Sequence, residues 1–165
     1  MEPVAAVAVD LEALGDTRAL WRDFLVYAAR RFGSIAPLVP DALPEDRAAA
    51  AAELDRWAAR GVGDWRQALA RYAEEHAPVY LRPDADSSAA LRGFARAGTR
   101  IGVYTDAPKE FADVALAHLG AARRVEAVEA GARARERLLA RFGEGAAVAG
   151  SRAELLALGS ALPAS

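Results

Sequence analysis

An α/β fold built on a parallel sheet is what this sequence predicts, and three observations carry the reading. Short, continuously apolar runs rich in valine and alanine recur at 4–9, 101–104 and 146–149, with a weaker one at 124–128. Such runs suit strands buried on both faces rather than strands with one wet side. Stretches with apolar residues at helical spacing separate them, and that alternation implies helices packed on both faces of the sheet. Finally, the runs end on chemically useful groups, at Asp10, Thr105 and Gly150-Ser151, and ligands of open α/β sheets bind at the carboxyl ends of the strands.

Taken in order, 4–9 is the first strand and presents Asp10 at its end, with Glu12 two residues further on. Residues 17–32 form a helix through Leu20, Trp21, Phe24, Leu25, Ala28 and Phe32, capped by Asp16 or Thr17. Pro37, Pro40 and Pro44 make 34–46 a loop, and Pro44-Glu45-Asp46 begins an alanine-rich helix that ends at Gly61-Val62-Gly63. Asp64 caps a further helix to His76. Three helices between two strands exceed a simple crossover of about a dozen residues and point to an inserted helical cap. The expected division is a core of 1–15 and 80–165 with a cap of 16–79.

Beyond the insert, 87–97 is a helix stopped by Gly98, and 101–104 is a strand ending at Thr105-Asp106. Pro108 opens a helix carrying Phe111, Val114 and Leu119, 132–142 is another helix, and 151–158 is a last short one before a frayed tail at 159–165.

Composition narrows the function classes. The chain has 165 residues, 53% of them hydrophobic, which is enough for a real core. A formal net charge of -2, from 21 basic and 23 acidic residues, gives no global field for nucleic acid or an anionic membrane. The absence of cysteine excludes disulfides and thiolate chemistry. The acid-flanked N-terminus does not read as a signal peptide and no apolar run approaches about 20 residues, so a cytoplasmic protein is expected.

Three strand ends converging on one edge, with an acid on the first and a hydroxyl on the second, resemble the haloacid dehalogenase-like (HAD) phosphatases. The resemblance extends over nearly the whole chain, through the insert and the phrase Leu81-Arg82-Pro83 leading into Leu91-Arg92-Gly93. It implies a Rossmannoid core with a small helical cap and a magnesium-dependent hydrolysis of a small phosphomonoester through an aspartyl-phosphate. In that scheme Asp10 is nucleophile and metal ligand, Glu12 the acid-base group, and Thr105 a phosphate ligand. The chain departs from the family pattern in four places. Glu12 stands for an aspartate, Ala13 and Leu14 replace a glycine and a threonine, Arg133 or Arg135 must stand for a lysine, and Gly150 falls where an acid is expected, leaving Glu154 as the remaining metal ligand. The departures support an alternative: a catalytically weakened relative that binds a phosphorylated ligand or a protein partner.

Each assignment has a plainer counterpart. Asp10 could cap the turn after its strand, Glu12 could face solvent, and Thr105 could bond its own backbone. Ser151 and Glu154 form a Ser-x-x-Glu capping box that accounts for both. His76 and His118 have no metal-ligand spacing, and Trp21, Trp57 and Trp65 are expected to pack helices together.

Overall fold

The computed structural model describes residues 4–163. Met1–Pro3 and the last two residues of the expected tail, 164 and 165, lie outside the described residues. The chain forms a Rossmann-like α/β structure around four parallel strands, β1 (Ala6–Asp10), β2 (Arg100–Thr105), β3 (Ala127–Ala130) and β4 (Ala147–Ala149), in the order β3-β2-β1-β4. Asp10 pairs with Tyr104 across β1 and β2, and Thr105 with Ala130 across β2 and β3, so the carboxyl ends of the three strands share one edge.

Alternation along the strands sends side chains to two separate clusters. Val7, Val9, Ile101, Val103 and Ala149 join the main core, whereas Ala8, Tyr104 and Ala127 pack with Ala134 and Leu138 of α7 (Ala134–Phe142). Gly102 lets α7 come close: a Cβ there would stand 2.6 Å from Phe142 and 2.7 Å from Leu138.

The segment between β1 and β2 holds a one-turn helix α1 (Leu11–Leu14), then α2 (Arg18–Phe32), α3 (Arg47–Ala58), α4 (Trp65–Tyr80) and α5 (Ala85–Arg96). The aromatic stripe of α2 explains its seat. Trp21 meets Phe111 of α6 (Lys109–His118) edge-on with ring centroids 5.9 Å apart, and Phe24 meets Tyr72 of α4 at 5.7 Å. Trp57 donates to the Ala36 carbonyl at 2.8 Å and Trp65 to Asp55 at 2.8 Å, which satisfies both indoles in their packed positions.

Several boundaries differ from expectation. Helix α4 runs on to Tyr80 with Pro78 inside it, and α5 starts at Ala85, before the predicted 87, because Asp84 caps it through the Ser87 N–H. The third strand is displaced to Ala127–Ala130, its predicted start taken by a 3-10 turn at Ala122–Arg124. Helix α8 (Arg152–Ser160) extends two residues into the expected tail, and Leu162 packs back on the core. No helix among the described residues is long and apolar enough to cross a membrane.

Candidate functional site

Strand β1 delivers Asp10 to the sheet edge, and α1 begins on the next residue. Asp10 caps that turn, its Oδ1 accepting the Glu12 N–H at 2.9 Å, as the plainer reading allowed. Its Oδ2 takes no hydrogen bond among the described residues, and Asp10 lines a pocket of about 280 Å³ with Tyr104, Thr105, Arg18, Arg133 and Arg135. Burial raises the Asp10 pKa above its usual value. The Glu12 N–H opposes the shift, the Glu12 and Asp106 carboxylates add to it, and Arg47 offsets part of it.

Glu12 is neither loose nor solvent-facing. The α1 turn points it at Thr17, whose N–H donates to Oε2 at 3.0 Å and whose hydroxyl donates to Oε1. Thr17 therefore spends its hydroxyl on Glu12 instead of capping α2, where it makes no side-chain cap. The expected alternative survives in part, since Asp16 Oδ1 accepts the Arg18 N–H at 3.0 Å.

Arg47 joins these groups. Its side chain is 1% exposed, and it donates from Nη2 to Glu12 at 3.0 Å, from Nη1 to Thr17 at 2.7 Å and from Nε to Asp106 at 2.8 Å. Its backbone N–H adds a bond to the other Asp106 oxygen at 3.0 Å, and Nη2 lies 3.4 Å from the Thr105 hydroxyl. The Phe111 ring sits 5.7 Å below the guanidinium. Burial by itself would raise the Asp106 pKa. The hydrogen bonds and charge of Arg47, with Arg18 behind them, outweigh it and bring the value below the ordinary one. Asp106 thus stays ionised, with its charge balanced by Arg47.

Thr105 is buried at the end of β2, and its hydroxyl accepts the Ala107 N–H at 3.2 Å. That is the local backbone contact of the plainer reading, made while the residue still lines the Asp10 pocket. Arg133 and Arg135 lie on the same pocket, Arg133 with the left-handed backbone of φ 55° just before α7. Glu154 is placed otherwise: its N–H donates to Ser151 Oγ at 3.2 Å and its Oε2 accepts the Gly150 N–H at 2.6 Å, so it serves the start of α8. Lys109 pairs with Asp113 at 2.7 Å on the surface of α6. His76 stacks on Tyr72 and His118 lies 3.5 Å from Glu74, both away from the sheet edge.

Magnesium, which the resemblance implies, takes an octahedron of oxygens with one or two carboxylates. No group of three or more His, Asp or Glu side chains among the described residues could hold a metal ion. Asp10 and Glu154 each already accept a backbone N–H, and Gly150 supplies no donor. With Glu154 committed to the start of α8 and no acid at position 150, this donor set does not fit a divalent cation beside Asp10.

Sequence reasoning reached Asp10, Glu12, Thr105 and the pair Arg133 or Arg135, took Thr17 only as a candidate helix cap, and missed Arg47, Tyr104 and Arg18. Comparison with known proteins finds no family model and no curated protein that matches the chain.

Proposed function

We propose that the strand-end pocket binds the phosphate of a small phosphomonoester and that the chain is an HAD-like hydrolase, with Asp10 as nucleophile and the helices between β1 and β2 as its cap. The observation that carries this reading is the meeting of Asp10 and Thr105, on neighbouring strands, with Arg133 and Arg135 in one pocket. The free Asp10 oxygen would attack phosphorus as the ester P–O bond breaks. Glu12, freed from Thr17 and Arg47 and carrying a proton taken from solvent, would give that proton to the departing oxygen, and then take one from the water that attacks the aspartyl-phosphate and releases phosphate. Thr105 and the guanidinium groups would hold the phosphoryl oxygens.

A second reading rests on Arg47. Because Thr17 and Arg47 occupy both Glu12 oxygens, Glu12 reaches a substrate only by giving up those bonds. Together with the poor fit to magnesium, this favours a weakened relative that binds a phosphorylated molecule, or a protein partner, without turning substrate over.

Assaying the purified chain on p-nitrophenyl phosphate and a panel of small phosphomonoesters, with and without magnesium and beside Asp10→Asn, separates the two. Turnover lost in the variant supports the hydrolase. Turnover that survives the substitution removes Asp10 from the mechanism, and no turnover on any substrate favours the binding protein.

A further inference from the structure

Three arginines line the Asp10 pocket without an ion-pair partner among the described residues: Arg18 at the start of α2, Arg133 before α7 and Arg135 in its first turn. The carboxylates on the same lining are Asp10, Asp46, Asp106 and Glu136. Asp106 is held by Arg47, and Asp46 turns back to cap α3 through the Ala49 N–H at 2.9 Å.

Tyr104 completes the cluster. It pairs with Asp10 across the strands, is 8% exposed, and its hydroxyl makes no hydrogen bond among the described residues. A Cβ built on Gly150 would stand 3.7 Å from that hydroxyl and 3.3 Å from Glu154 Oε2. The Tyr104 phenol and a carboxylate that already bonds its own backbone therefore flank position 150, where the family pattern has an acid. Burial raises the Tyr104 pKa, with Asp10 and Glu154 adding to the shift and Arg135 opposing it, so the hydroxyl keeps its proton and can donate.

We infer that this pocket holds a phosphate-type oxyanion without a metal, the Tyr104 hydroxyl and Arg135 joining Thr105 and the other guanidinium groups to supply the charge and hydrogen bonds that a divalent cation would otherwise supply. The inference rests on the phosphate-pocket reading above. A guanidinium fork matches phosphate oxygens and stays charged at any working pH, so such a site needs no metal to balance a dianion.

Calorimetric titration of the full chain with inorganic phosphate, in a chelating buffer and again with magnesium, tests it. Binding is expected in both buffers with dissociation constants that agree within about twofold. Tyr104→Phe and Arg135→Gln are each expected to weaken it by roughly tenfold, the loss of one strong hydrogen bond. Circular dichroism of Tyr104→Phe, which keeps the buried ring, checks that the fold is intact. Binding seen only with magnesium overturns the inference while leaving the phosphate pocket standing, and wild-type affinity in both variants overturns it as well. No binding in either buffer removes the inference and the phosphate pocket together. Phosphate binding in chelator without turnover of any ester upholds the inference and removes hydrolysis alone.

Discussion

Arg47 opens α3 at the end of a helix where a cation is least favoured, because the aligned peptide dipoles leave the N-terminus positive. It is tolerated because Glu12, Thr17 and Asp106 surround it, and removing it would strand two carboxylates against the core. Truncating one partner of a buried charge network costs about 3 kcal/mol or more. Arg47→Ala should therefore lower the urea midpoint by a loss of roughly that size at unchanged slope. Arg47→Lys should recover only part of it, since one ammonium cannot serve three partners in a planar fork. An Ala variant within about 0.5 kcal/mol of the parent would show that the network holds nothing together. Asp10, Glu12 and Thr105 were legible because each follows a recognisable run at a fixed offset. Arg47 was not, since its partners lie 30 and 35 residues before it and 58 and 59 after it, and no periodicity registers such distances. The signal that was present is a lone cation in the first turn of an alanine-rich helix.

Elements were readable wherever local chemistry fixed them. Strand β1 and helix α2 follow from their valines and aromatics, and the start of α8 from its Ser-x-x-Glu box. Errors gathered where apolar spacing alone set the boundary. Asp84 caps α5 three residues before Ser87, earlier than the apolar spacing suggests, and Arg152 of α8 reaches it at 3.1 Å, tying two helices to one carboxylate. The Ser87 hydroxyl and N–H, followed by Arg152, lower the Asp84 pKa from 3.8 to about 2. A depressed acid stabilises the fold above its unfolded pKa and loses that contribution as pH falls through the folded value. Asp84→Ala should cost about 1 kcal/mol at neutral pH, as for a lost helix cap. Its deficit against the parent should shrink as pH drops from about 4 to about 2. Paired thermal melts across that range check it, and a deficit that stays constant with pH would remove the carboxylate charge from the account.

At the scale of the whole molecule, the predicted division into a core and a helical insert meets a continuous interior. Trp21 and Phe24 of α2, Leu54 and Trp57 of α3, and Leu69 of α4 belong to the same buried cluster as Val7, Val9, Ile101, Val103 and Phe111. The edge-on contact of Trp21 with Phe111 and the Arg47–Asp106 pair both cross from the 16–79 segment to the remainder. The sequence could place strands and helices but not this sharing, because a helical stripe reveals that a face is buried and not what buries it. A shared core without a linker between its parts should unfold as one cooperative unit. The three tryptophans, Trp21, Trp57 and Trp65, all lie in the 16–79 segment, so their fluorescence follows that part while far-ultraviolet circular dichroism follows the whole chain. Urea transitions by the two probes should superimpose with one midpoint and one slope. A fluorescence transition that clearly precedes the dichroism transition would mean that the helical segment separates from the sheet before the rest unfolds.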